Sequence, residues 1–136
     1  MNLSTPITFQ FSGKSYRAEP LGLADLVEHA KWVRDQHMAE VIGQMNGLPT
    51  EIAVAVWKHE KGIADKIQYG SKVYRTVAFD IPGYVYALFL ALRKNIPDIE
   101  LKTAYEVFFG DLVKHREHCL ELLGYKTDPT TPTDPA

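Results

Sequence analysis

The run from Tyr84 to Leu92 contains only tyrosine, valine, alanine, leucine and phenylalanine. A helix of that composition is apolar on every side, so every side has to be covered. The longest mostly apolar stretch, Ile81 to Leu92, includes Pro82 and Gly83 and is too short to span a bilayer. Cover therefore has to come from the rest of the chain or from a partner. Asp80 reads as the N-cap of this central helix, with Pro82 near the first turn, where its missing donor costs least. Arg93, Lys94 and Asn95 close it, with positive charge at the favourable end, and Pro97 enforces the break.

The remaining chain supplies candidates for that cover. Residues Ile7 to Phe11 and Ser15 to Glu19 alternate at the strand period, with Ile7, Phe9 and Phe11 on one side and Tyr16 and Ala18 on the apolar face of the second run. Gly13-Lys14 at the centre of a tight turn sets Phe11 against Tyr16 and Phe9 against Ala18, with Gly13 supplying the positive φ. A lone hairpin is marginal in water, so this one covers the helical core or pairs with another chain. Pro20 ends the second strand.

From Leu23 to about Met45 the period becomes helical, through Leu26, Val27, Ala30, Val33, His37 and Val41. Pro49 and Thr50 open a second helix, with Thr50 or the preceding turn as its cap, a stripe of Ile52, Val56, His59 or Glu60, Ile63 and Ile67, and a stop at Gly70. Ser71 to Phe79 fits a short strand or an irregular loop. Asp98 is placed to cap a last helix from near Ile99, which Gly110 divides and Gly124 terminates. The expected fold is mainly α: an N-terminal β-hairpin followed by a bundle of about four to five helices, one domain over residues 1–124. A flexible Pro/Thr-rich tail over residues 125–136 completes the expectation.

A chain of 136 residues has room for one substantial core. Its 15 Lys and Arg against 17 Asp and Glu argue against a nucleic-acid surface. Cys119, the only cysteine, permits no intramolecular disulfide. The N-terminus lacks the basic and apolar pattern of a signal peptide. The expectation is a soluble intracellular protein, or part of an assembly made inside a cell, that uses no membrane.

Few residues are spaced for chemistry. His115 and Cys119 stand one helical turn apart with His118 nearby, but a closed zinc site takes four ligands, and nothing marks an orienting group or oxyanion site for a nucleophilic cysteine. Gly13-Lys14 lacks the glycine-rich lead of a phosphate loop. No catalytic residue, metal ligand or cofactor site is assigned, and an enzyme is the least favoured class. The excess is aromatic instead: 7 Tyr, 6 Phe and 2 Trp, concentrated in the last two helical units. Aromatic side chains bury large areas at modest entropy cost and make good anchors. Trp32, Trp57, Tyr84, Tyr86, Tyr105 and Phe109 are the candidate protein-binding residues.

Two phrases carry a resemblance. Phe11, Gly13, Tyr16, Pro20 and Leu21 form the first; Leu92, Arg93, Lys94, Pro97 and Asp98, after the buried helix, form the second. In these and in element order, residues 7 to 123 resemble the tail assembly chaperones of long-tailed bacteriophages. Glu100 stands where many members have the Thr or Ser that caps the next helix. The resemblance implies a non-enzymatic protein that binds the phage tape-measure protein, keeps its hydrophobic helices soluble and helps recruit major tail-tube subunits. It implies action in the host cytoplasm, absence from the mature virion and, in many phages, a longer frameshifted product. Homo-oligomers fit the same reading. The alternatives are a structural component of the tail, such as a completion or baseplate protein, and a small helical regulatory or nucleic-acid-binding protein.

Overall fold

The computed structural model describes residues 5–125. It is mainly helical, an antiparallel hairpin followed by six helices among the described residues. The strands are β1 (Ile7–Phe11) and β2 (Lys14–Ala18). The helices are α1 (Leu23–Gln44), α2 (Thr50–Ala64), α3 (Lys72–Ala78), α4 (Ile81–Leu92), α5 (Leu101–Phe109) and α6 (Leu112–Leu122). The stretch read as a Pro/Thr-rich tail lies, apart from Tyr125, outside the described residues. Two compact units are present: one runs to Leu26 and resumes at Asp80, the other is Val27–Phe79.

The first unit is organised by α4, which packs against α5, α6 and β2 while β1 rests on α5. Eight of its residues are buried, from Gly83 and Tyr84 to Leu92. Phe9 and Ala18 from the hairpin, Ala104, Val107 and Phe108 from α5, and Cys119 and Leu122 from α6 complete this core. Asp80 caps α4 as expected, its Oδ1 accepting the Gly83 N–H at 2.8 Å.

The hairpin register differs from the sequence reading by two residues. Ser12 and Gly13 form the turn, with φ of +53° and +77°, so Phe9 faces Tyr16 and Phe11 faces Lys14. A tight turn of this kind needs positive φ at both central positions, which places the glycine second. A shift of two residues leaves each side chain on the same face, so the apolar face is unchanged. The register also sets Ser15 Oγ to donate to Gln10 Oε1 at 3.0 Å.

The chain between β2 and α1 is tied to the end of α4. Lys94 Nζ donates to the Pro20 carbonyl at 2.7 Å and pairs with Asp25 Oδ2 at 2.7 Å. Asn95 Nδ2 donates to Glu19 Oε2 at 2.8 Å and to the Arg17 carbonyl at 3.3 Å. Asp25 also accepts the Gly22 N–H at 2.9 Å, the return bond of a capping box at the start of α1. The two phrases quoted above thus meet at Pro20 and Lys94.

The second unit has a smaller core, in which Ala30, Val33, Ile67, Tyr74 and Ala78 are buried and Trp32, Tyr69, Val73, Val77 and Phe79 pack around them. The Ser71 to Phe79 stretch is neither strand nor loop but the short helix α3. Ser71 Oγ accepts the Tyr74 N–H at 3.1 Å, and Tyr74 and Ala78, four apart, share its buried side. Other boundaries move as well. α2 ends at Ala64 rather than near Gly70, and Pro49, not Thr50, holds its N-cap position without a side-chain bond. α5 starts at Leu101 with Glu100 at the cap position, so Asp98 does not cap it. Gly110 does divide the last helical segment, and Gly124 follows its end with φ +92°.

Gly110 is required by close approach. A Cβ there would stand 2.8 Å from the Phe11 ring and 3.1 Å from the Val107 carbonyl oxygen. Gly110→Ala should therefore cost about 1–3 kcal/mol, as overpacking does. Equilibrium urea unfolding checks this, and the loss should shrink in a Phe11→Leu background.

Acid stability depends on Asp25. Burial alone raises its pKa, but the Lys94 hydrogen bond, the Gly22 N–H and the charges of Lys94 and Arg93 outweigh burial and hold it below the ordinary value of 3.8. The unfolded chain then binds the proton more readily. The contribution is full above the ordinary value and disappears as pH falls through the lowered one. Asp25→Asn should lower stability at neutral pH and flatten the acid limb below about pH 4, read as urea midpoints against pH. An unaltered acid limb would remove this pair from the account.

Candidate functional site

The histidines and the cysteine near the C-terminus serve packing. His115 lies on the buried side of α6, one turn before Cys119. Its Nδ1 donates to the Val107 carbonyl at 2.8 Å and reaches the Phe108 carbonyl at 3.2 Å, satisfying the open C-terminal end of α5. Cys119 is fully buried, and burial pushes its thiol well above the ordinary range, the opposite of a reactive thiolate. In the second unit His29 Nδ1 and the Tyr74 hydroxyl are 2.7 Å apart in the interior, and His37 Nε2 faces Glu60 Oε2 at 3.5 Å. The latter pair is within ion-pair distance but lacks hydrogen-bond geometry, although both atoms are sealed from solvent. Among the described residues no group of three or more His, Cys, Asp or Glu is placed to hold a metal ion. No single helix among them is long and apolar enough to cross a membrane.

The six aromatic candidates fall into three environments. Tyr84 is only 4% exposed and stacks on Phe108 with centroids 6.2 Å apart, so it is a core residue and leaves the surface set. All sides of α4 needed cover, and α5 covers this one. Trp32, Tyr86 and Tyr105 are half-buried. Trp32 packs on the core of the second unit, and Tyr86 stacks on Phe89 at 5.6 Å. Trp57 and Phe109 are exposed, at 41% and 52%. They belong to different units, and each lies on the surface of its own unit.

Around Phe109 the surface is the corner where α5 turns into α6. Leu112 and Val113 are exposed beside it in sequence, Val113 at 74%. Asp111 caps α6 through the Lys114 N–H at 3.2 Å, which fixes the corner while Gly110 lets Phe11 approach from behind. Around Trp57 the surface belongs to α2, where Ile52 and Val54 are exposed too and Ala64 is the sole buried residue. Ile42 at the end of α1 and Leu48 in the following turn are also exposed. Lys61 and Asp65 form an ion pair at the other end of α2.

The sequence reading missed Ile42, Leu48, Ile52, Val54, Leu112 and Val113 as surface residues, because it selected by aromatic character. A usable signal existed for Val54. It falls outside the Ile52–Val56–Ile63 stripe, so it cannot share that stripe's cover.

Comparison with protein-family models, curated proteins and solved structures finds no match for this chain.

Truncation separates the two classes of aromatic residue. Tyr84→Ala should cost about 3–5 kcal/mol, as a large buried ring does. Phe109→Glu and Trp57→Glu should each stay within roughly 0.5 kcal/mol of the parent, as exposed substitutions do. Thermal and urea unfolding followed at 222 nm decide the matter, and a large loss for Phe109→Glu would assign that ring to the core.

Proposed function

We propose that this protein is a tail assembly chaperone of a long-tailed bacteriophage, which binds the tape-measure protein and keeps it soluble in the host cytoplasm before assembly. It also helps bring major tail-tube subunits to the growing tail. The observation that carries the reading is α2, which exposes Ile52, Val54 and Trp57 and buries only Ala64. A helix that contributes so little to its own core presents apolar surface for a client's helical stripe to cover. Removing apolar area from water is worth about 25 cal/mol per Å². Each side chain engaged then adds up to about 1.5–3 kcal/mol when fully buried. The Phe109–Leu112–Val113 corner offers a second contact of the same chemistry. A long client with many such stripes would bind several copies, and linkage between sites adds avidity without new contacts.

The mainly α fold with an N-terminal hairpin is consistent with the resemblance. The meeting of Pro20 with Lys94 gives its two phrases one physical role, holding the hairpin exit against the end of the apolar helix. Nothing in this mechanism requires a catalytic group or a cofactor.

The experiment is co-expression with the tape-measure protein encoded in the same genome. The client should be insoluble alone and soluble in a complex of defined mass with the chain. Val54→Glu combined with Trp57→Glu should abolish the complex while leaving the far-ultraviolet circular dichroism unchanged. An insoluble client with no complex, together with the chain in purified particles, would replace this reading with a structural role in the tail.

A further inference from the structure

The docked side of α6 is unusual in its chemistry. Its buried residues are His115, Cys119 and Leu122, with His118 half-buried beside them. Lys114, Arg116, Glu117 and Glu121 on the same helix are exposed. An eleven-residue helix of this composition does not persist alone in water, so α6 is helical because it is docked. Two of the groups that dock it are imidazoles.

His118 and Phe9 form a T-shaped pair, with ring centroids 5.2 Å apart and planes at 79°. It stacks beside His115 at 6.2 Å, and His115 lies 4.9 Å from the same Phe9 ring. His118 Nδ1 is sealed from solvent and has no hydrogen-bond partner. A neutral imidazole tolerates that environment because Nδ1 is then a bare lone pair. A proton there creates a buried N–H without an acceptor, and an unsatisfied charged group is more costly than a neutral one.

We propose that His118 is a proton-sensitive latch: the neutral ring keeps α6 docked in its unit, and protonation at Nδ1 releases it. The surroundings favour the neutral form. Burial is the largest influence and lowers the pKa of His118; His115 and Lys114 push the same way, while Glu121 and Glu117 oppose them. β1 presents the uncharged Phe9 ring, and the charged residues of the hairpin, Lys14 and Arg17, are exposed. α5 presents the carbonyls held by His115, and its own Lys102 and Glu106 are exposed. α4 has no charged residue; its titratable groups are Tyr84 and Tyr86. The docked state binds the proton less tightly than the released state. Docking is therefore at full strength above the ordinary histidine value of 6.5 and weakens as pH falls below it toward the lowered one.

Cys119, the only cysteine and fully buried on α6, reports the release directly. The full chain is treated with 4,4′-dithiodipyridine, which reacts with thiols in mild acid, at pH 7.5 and 5.5. Each rate is divided by that of the chain unfolded in urea at the same pH. Protection of Cys119 should fall by up to about tenfold per pH unit below 6.5. Fluorescence of Trp32 and Trp57, both in the other unit, should stay constant. His118→Phe should hold Cys119 protection level across the same range. If that variant does not fold, His118→Gln, which never takes a charge, is measured in its place with the same expectation. Constant protection in the parent chain overturns the proposal, as does a variant that loses protection as the parent does.

Discussion

The structure depends on covering α4. A helix of tyrosine, valine, leucine, phenylalanine and alanine with no polar side has no orientation that leaves it half in water. α5, α6 and β2 pack on it. Their inward residues follow from this need: Phe9 and Ala18 from the hairpin, Val107 and Phe108 from α5, Cys119 and Leu122 from α6. Even the polar contacts serve the same end. His115 closes the carbonyl end of α5, and Lys94 and Asn95 pin the hairpin exit to the end of α4. These bonds leave few polar groups unsatisfied in a low-dielectric interior, where each would be costly.

The other unit is built differently. Its core is small and depends on a buried hydrogen bond between Tyr74 and His29 as well as on Val33 and Ile67. α2 contributes one buried residue and lacks a side-chain cap. Local stability varies within proteins, and segments with few buried apolar contacts lie at its low end. Surfaces that receive partners are drawn from such segments, because apolar groups not used internally remain available. That contrast, a unit closed around α4 and a helix left largely uncovered, is the physical basis for reading the protein as a binder of helices.

Much of the architecture was legible in local patterns. The two strands showed their period of two, α1 its 3.6-residue stripe, and α4 its capping Asp80 and closing Pro97. Where reading failed, local rules were close to balanced. Either Ser12-Gly13 or Gly13-Lys14 could seat a glycine in the turn, and the demand for positive φ at both positions decided between them. Seven residues from Lys72 to Ala78 are too few for periodicity to distinguish helix from strand, and burial of Tyr74 and Ala78 settled the matter. The surface residues were harder still. Tyr84 and Phe109 are both aromatic residues on apolar helices, yet one stacks against Phe108 inside and the other faces out.

By itself the sequence determined that this chain is mainly helical, that a hairpin precedes the helices and that the Tyr84–Leu92 segment must be enclosed. Those are consequences of composition and spacing, which act within a few residues. Only the tertiary structure decided which aromatic side chains are enclosed, that His115 satisfies the end of a different helix, and that α2 stays largely uncovered. Each of these depends on which distant segments come into contact. Hydrophobic burial is non-directional, so an apolar residue specifies that it needs cover but not what will cover it.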